Sequence, residues 1–331
     1  MTTALAQDEL FQRIKELLPP DTPMVDAISE VLYISTDSAY RRIRGETPLI
    51  LDEALQLCKH FGLSLDHLMS LKKGAVVFNN TRINNKEYTY ERYLTDLTGR
   101  VQQMEMFPEK EIIYLTKDVP IFHNFYFTPL IAFRYFFWMK SILQHPDFTT
   151  KGVDLNAVPS SIITLSHDLV KTYAKIPSVE IWNTECVNSA ISQVEFYKDS
   201  GLFSSSADIK TVYDAFEQTI RHLQDQAENG CKFMPGDDYQ GMKPNFRFFY
   251  NRVILGDNTI LVKAGDMRSV YLNYDVLNYI NTTDPEFCGQ CQNDLQNLMR
   301  KATLISQTGA KQRNIFFNIL LSKVQDRKRN L

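Results

Sequence analysis

Apolar residues in the first seventy positions recur at helical spacing and are separated by short breaks. Leu10, Ile14 and Leu17 predict a helix that ends at Pro19-Pro20. The same pattern with cap and stop residues predicts four more short helices, from Thr22-Pro23 to Leu32, from Ser35 or Thr36 to Ile43, from Leu51 to Phe61, and from Ser64 onward. Five short helices predict an all-α domain over residues 1–73, followed by a linker over 74–86.

The remainder, residues 87–331, mixes helical and strand patterns. A long helix is predicted over about 88–107, and short apolar runs predict strands. The predicted strands are 111–115, 246–254, 259–263 and 269–272. The predicted helices lie near 128–143, 159–175, 184–199, 207–228, 285–305 and 310–327. Gly256-Asp257-Asn258 is turn chemistry and predicts a hairpin over Val253–Val262. The pattern predicts a helix-rich α+β domain with a small sheet.

The composition sets limits on function without choosing one. The chain has 331 residues, of which 44% are hydrophobic and 23% charged, and its formal net charge is −3. A globular protein of two or three domains is expected, and any contact with nucleic acid must come from a local basic cluster. Five cysteines without framework spacing, and residues 1–7 without a signal-peptide layout, predict a cytoplasmic protein.

An aromatic segment, residues 121–138, is the one stretch that suggests a membrane. Arg134 and Lys140 interrupt it, and charges near the centre of a span cost roughly 2.5–3.5 kcal/mol each on insertion scales. A buried helix is therefore predicted, with Phe136, Phe137 and Trp138 inside the domain. Such aromatic density is also typical of a ligand pocket or a dimer interface, and those alternatives stay open.

Two segments carry the strongest functional signal. Residues 24–45 read MVDAISEVLYISTDSAYRRIRG, and residues 51–68 read LDEALQLCKHFGLSLDHL. Over about residues 8–71 the chain resembles the Cro/lambda-repressor (XRE-like) family of helix-turn-helix domains. The resemblance implies a five-helix head that binds double-stranded DNA as a transcriptional regulator. Two positions depart from the family pattern, since Tyr33 stands where glycine is frequent and Arg42 where an apolar residue is frequent.

The resemblance also assigns roles within the helix that begins near Ser35. It places Thr36, Asp37 and Arg41 at base-reading positions. It makes Ser35 and Ser38 phosphate or base contacts and gives phosphate contacts to Arg42 and Arg44, with Tyr40 on the same exposed face. The chemistry is suitable, because arginine can chelate guanine O6 and N7 and a carboxylate can accept from a cytosine amino group. Residues 1–73 carry eight Lys and Arg against eleven Asp and Glu, so binding would depend on the local arginines.

No catalytic, metal or cofactor site is predicted. Cys288 and Cys291 have CxxC spacing without a second ligand pair, and the six histidines show no recognisable pairing with carboxylates or cysteines. We therefore predict a homodimeric DNA-binding regulator whose carboxy-terminal domain holds the dimer or senses an unknown small molecule, and which makes no membrane contact. An enzyme with a helix-turn-helix head, and an adaptor that uses the head for protein contacts, remain as alternatives.

Overall fold

Helices with apolar stripes and clear stop residues dominate the amino-terminal part of the chain. The computed structural model describes residues 3–19, 22–65, 76–80, 88–253, 256–273 and 279–331. The chain divides into two compact units, Met1–Val77 (the head) and Phe78–Leu331 (the body).

The described part of the head contains four helices around one core. They are α1 (Thr3–Leu17), α2 (Met24–Leu32), α3 (Thr36–Ile43) and α4 (Leu51–Phe61). Ile14, Ile28, Ala39 and Leu57 are fully buried at its centre. Most of the fifth helix predicted from Ser64 lies outside the described residues.

A mixed sheet of eight strands organises the body. The strands are β1 (Asn79–Asn80), β2 (Lys110–Leu115), β3 (Ser178–Trp182), β4 (Phe246–Tyr250), β5 (Thr259–Ala264), β6 (Met267–Asn273), β7 (Tyr279–Thr282) and β8 (Thr303–Leu304). Their order is β1-β7-β6-β5-β2-β3-β4-β8, with β2, β3 and β4 parallel and the other pairs antiparallel. The helix-rich α+β character predicted from the sequence is confirmed, but the sheet is larger than predicted.

Helices cover both faces of this sheet. They are α5 (Tyr90–Glu105), α6 (Thr128–Phe137), α7 (Ser160–Lys175), α8 (Asn188–Asp199), α9 (Ser206–Asn229), α10 (Pro285–Lys301) and α11 (Ala310–Arg329). Alternate residues of β2 separate the two faces, since Ile112 and Tyr114 join the core beside α5 and α7, whereas Ile113 and Leu115 join the core beside α10.

Several predicted elements in the body were wrong or missing. The hairpin predicted over Val253–Val262 does not form, because β4 pairs with β3 and β8, while β5 pairs with β2 and β6. The β5–β6 hairpin turns instead at Gly265, whose φ is 56°. Strand β3 was not predicted, although it lies in the middle of the sheet. The helix predicted over 285–305 ends at Lys301, and its last residues form β8. Within the predicted linker, Asn79 and Asn80 form an edge strand paired with β7.

The aromatic segment is buried, as predicted. Phe136 and Trp138 are buried, and Phe137 is partly buried and packs against two of the body's core clusters. Of the helices in the described ranges, none is both long enough and apolar enough to cross a membrane.

Candidate functional site

The exposed face of α3 is the first candidate site, and the turn before the helix sets its direction. Tyr33 ends α2 in the left-handed region, with φ 55° and ψ 43°, a conformation that glycine adopts far more readily than tyrosine. Ser35 then caps α3, because its hydroxyl accepts a hydrogen bond from the Ser38 backbone N–H at 3.3 Å. Ala39 is completely buried and packs the opposite side of α3 into the head core.

Six of the eight predicted contact residues are exposed on α3 and at its two ends. They are Ser35, Thr36, Asp37, Tyr40, Arg41 and Arg44. The guanidinium of Arg44 lies 5.5 Å from the centre of the Tyr40 ring. Arg41 and Arg44 also lie 3.8 and 3.5 Å from the carboxylate of Glu46. The two arginines are more than half exposed, so these ion pairs are weak and can exchange for another anion.

Ser35 and Ser38 have local roles in α3. Their hydroxyl oxygens lie 3.0 Å apart, and Ser38 is only half-exposed. Both hydroxyl groups therefore form part of the cap of α3. Any contact that they make with DNA must lie close to the amino end of this helix.

Arg42 has a different environment from the one predicted. Its guanidinium donates two hydrogen bonds to Glu53 on α4, at 2.8 and 3.0 Å, and a third to the carbonyl of Ser38. The Arg42 hydrogen bond lowers the pKa of the Glu53 carboxyl, and Glu53 also accepts from the backbone N–H of Ile50. Arg42 is thus turned toward α4 and fixes the position of α3. The phosphate contact predicted for it is corrected accordingly, because a bidentate carboxylate pair already occupies the guanidinium.

A buried polar network lies on the body's central strand and was not found in the sequence. Glu180 of β3 is completely buried and accepts hydrogen bonds from His123 Nε2 at 2.9 Å, the Tyr173 hydroxyl at 2.6 Å and the Trp182 indole at 2.7 Å. The sequence shows no recognisable spacing between a histidine and a carboxylate, so the pairing of His123 with Glu180 was missed. The two residues are 57 positions apart, so no local spacing could reveal the contact. The buried Lys232 ammonium lies 3.7 Å from the centre of the Tyr173 ring and donates to the carbonyl of Ile176.

The pKa directions in this network follow from burial and charge. The pKa of Glu180 is lowered, although burial itself acts to raise it, because His123, Tyr173 and Lys232 favour the carboxylate. Burial lowers the pKa of Lys232 to about 7. Glu180 and His123 are completely buried, so a substrate cannot reach them in this conformation. The network therefore serves to hold the surrounding elements together.

A second buried histidine makes the stability of the body depend on pH. His222 lies 2.8 Å from the carbonyl of Phe233, and burial lowers its pKa to about 4 from a model-compound value near 6.5. Between these values the unfolded chain binds more protons than the folded chain. The stability gained from neutral His222 is therefore present above pH 6.5 and is lost as the pH falls toward 4.

We expect the free energy of unfolding to fall by about 2 kcal/mol between pH 7 and pH 5 because of His222. The measurement is denaturant unfolding followed by tryptophan fluorescence, which reports the body alone since both tryptophans, Trp138 and Trp182, lie there. His222→Leu should lose this part of the pH dependence, while His145→Gln, at a partly exposed site, should retain it. Equal pH profiles for the wild type and His222→Leu would contradict the assignment.

The cysteines are buried in part and form no disulfide among themselves. Cys288 is buried, and its Sγ lies 3.7 Å from each of the carbonyl oxygens of Arg268 and Thr282. Cys291 is half-buried. Among the described residues no group of three metal-ligating side chains comes together.

Two adjoining cavities lie within the body, between the sheet and α5 and α6. Their volumes are about 320 and 180 Å³, and they share Tyr93, Tyr114, Ile121 and Tyr279 as lining residues. The larger cavity, named here the Arg134 cavity, is lined by the only guanidinium on the aromatic segment. It is the second candidate site.

Comparisons of the chain with protein-family models, with curated proteins and with solved structures return no match. The functional argument therefore depends on the geometry of the two sites.

Proposed function

We propose that the protein is a sequence-specific DNA-binding transcriptional regulator, and that α3 is the helix that reads DNA. One observation carries the proposal. Ser35 caps α3 and Ala39 packs one face of the helix into the head core, while the opposite face exposes hydroxyl, carboxylate and guanidinium groups. A major groove about 12 Å wide admits one helix, whose amino-terminal turns meet the base edges. Thr36, Asp37, Tyr40 and Arg41 are the proposed base-facing residues, and Arg44 is the proposed phosphate contact.

The contacts behind α3 support this role because a reading helix must be held rigidly. Ala39 packs into the core and Arg42 pairs with Glu53 on α4. Helix α4 is in turn fixed to α2, since Gln56 donates to the carbonyl of Val31 at 2.6 Å. Gln7 of α1 stabilises the end of α3 and the loop that follows it, since its amide nitrogen donates to the carbonyls of Arg42 and Thr47. The exposed face makes none of these supporting contacts and is left for a partner.

The charge of the head favours specific binding over general attraction to DNA. Residues 1–73 are net negative, so the arginine pair Arg41 and Arg44 must supply the local positive charge. Glu46 competes for both arginines in the free protein, and DNA phosphates would replace it. In the proposal two chains bind one paired site, because a single small head contacts few base pairs.

Arg41→Ala is expected to weaken binding to the preferred DNA sequence by about 5-fold to 150-fold, which corresponds to the loss of one bidentate base contact at about 1–3 kcal/mol. The preferred sequence is first selected from a random DNA pool with the full-length protein. Affinity is then measured by fluorescence anisotropy at fixed salt, for that sequence and for each single-base change.

Two further variants make this test specific. Glu46→Gln should strengthen binding, since it releases both arginines, and Arg13→Ala removes the same charge from α1 and should have a small effect. Specificity for one base position should disappear in Arg41→Ala. Unchanged affinity in Arg41→Ala, or equal losses in Arg41→Ala and Arg13→Ala, would contradict the role of α3.

The adaptor alternative has a specific observation in its favour, namely the net negative charge of the head. It predicts that no DNA sequence is enriched in the selection experiment. The same experiment therefore separates the two proposals.

A further inference from the structure

The Arg134 cavity has the size and the mixed lining of a small-molecule site. Its volume of about 320 Å³ lies at the lower end of the range of about 300–1,000 Å³ that is typical of ligand pockets. Side chains of α5, α6 and α8, together with the segment after β2, converge on it. Polar residues line one part and aromatic residues the other.

The aromatic part is formed by side chains of α5 and by Trp138, which directly follows α6. The Trp138 ring centre lies 4.9 Å from that of Tyr90 and 4.5 Å from that of Tyr93. The Tyr90 hydroxyl is buried and has no hydrogen-bond partner among the described residues. A buried hydroxyl without a partner is costly in an apolar environment, so its presence indicates that a ligand or water completes it.

The polar part is centred on the guanidinium of Arg134. Arg134 Nε donates to Asn124 Oδ1 at 3.0 Å, and Nη1 donates to Gln193 Oε1, so both observed partners are neutral amide oxygens. In the described ranges no carboxylate lies within 4 Å of this guanidinium. Burial lowers the pKa of Arg134 to about 10, which still leaves it charged at neutral pH.

Arg134 is partly buried, and a cation there whose hydrogen-bond partners are all neutral is poorly compensated. Leaving a buried charge without a counter-ion is strongly unfavourable, and an anion at this position would offset the cost. Guanidinium groups bind carboxylates through two parallel hydrogen bonds. Asp118 also lines the cavity, so its negative charge limits the number of anionic groups that the site can accept.

We propose that the Arg134 cavity binds a small monocarboxylic acid that carries an aromatic or apolar group. The carboxylate pairs with Arg134, and the apolar group packs against Tyr90, Tyr93 and Trp138. The Tyr90 hydroxyl donates to the bound molecule. The site lies wholly within the body, so the proposal does not depend on DNA binding by the head.

The experiment measures the melting temperature of the full-length protein, followed by tryptophan fluorescence, with three matched probes. They are 3-phenylpropanoate, the neutral 3-phenylpropanol and the cationic phenethylamine. A ligand at about ten times its Kd should raise the melting temperature by about 3 °C. We expect this shift with 3-phenylpropanoate and at most a small shift with the other two.

Three variants locate the binding. Arg134→Met removes the counter-charge and should abolish the shift. Ser189→Phe fills the cavity from α8 without changing any charge and should also abolish it. Arg221→Met removes an exposed arginine on α9 and should keep the full shift.

Each outcome decides the proposal. Equal shifts with the acid and the alcohol would overturn the role of charge, and a shift that survives in Ser189→Phe would overturn the location. If 3-phenylpropanoate, benzoate and hexanoate all fail to shift the wild-type protein at about 10 mM, where a millimolar Kd would be detected, the proposal is wrong. All these measurements are made without DNA, so a failed DNA test for the head leaves their result unaffected.

Discussion

Glu180→Gln is expected to lower the free energy of unfolding of the body by about 3–5 kcal/mol, the usual cost of removing one partner from a buried charged network. The Glu180 carboxylate accepts from the side chains of His123, Tyr173 and Trp182. A glutamine has one oxygen and a donor amide in place of the second oxygen. At least one buried donor would therefore face another donor.

The loss of charge adds to this mismatch. Lys232 is completely buried, and the negative charge of Glu180 helps to keep it protonated. Without that charge Lys232 must either lose its proton or remain as an isolated buried cation. The variant is measured by denaturant unfolding with tryptophan fluorescence at neutral pH.

Glu185→Gln is the matched control for this variant. Glu185 lies five positions away on the same chain segment, but it is half exposed and pairs with Lys323 at 3.2 Å. Its replacement should cost about 0–1 kcal/mol, as is typical of exposed ion pairs. If Glu180→Gln costs no more than Glu185→Gln, the network does not hold β3 in place as described.

Phe136→Ala is expected to be comparably costly, at about 3–5 kcal/mol, because the side chain is buried and its removal leaves a cavity. The Phe136 ring centre lies 5.6 Å from that of Tyr197 and 5.9 Å from that of Phe148. These two neighbours lie on different elements and cannot both move into the space. A fall of about 10 °C in the melting temperature is therefore expected.

Phe196→Ala supplies the control for burial. This phenylalanine is 62% exposed on α8, so its truncation should change the melting temperature by about 1 °C or less. The comparison also tests the alternative that the aromatic segment forms a dimer interface. A normal melting temperature for Phe136→Ala, combined with weaker self-association, would favour that alternative.

The head could be anticipated from the sequence to a large extent, since its signals are local. Pro19-Pro20 and Gly62 mark helix ends, and the structure ends α1 at Leu17 and α4 at Phe61. Tyr33 was noted in the sequence only as a residue at a position where glycine is frequent, and in the structure its φ is positive. Arg42 was harder, because its contact with Glu53 depends on how two helices pack.

The strands of the body were predicted less well than the helices of the head. Strand β3 was missed, although Ser178 to Ile181 alternate between polar and apolar residues. This alternation predicts a half-buried strand, whereas all five residues of β3 are buried. The short strands β1, β7 and β8 have two to four residues and exist only because a longer neighbour pairs with them.

By itself, then, the sequence determined the first four helices of the head, the helix-rich α+β class of the body and the burial of the aromatic segment. These depend on residues close together in the chain, where helical spacing and stop residues act directly. The tertiary structure alone decided that Glu180 meets His123, that Arg42 turns to Glu53, and that Arg134 lines a cavity. The hydrogen bonds of these contacts, and those that hold Arg134, join positions that lie 10 to 59 apart in the chain. Only the packing of whole elements brings such residues together. Burial and the neighbouring charges then shift the pKa values of their ionisable groups.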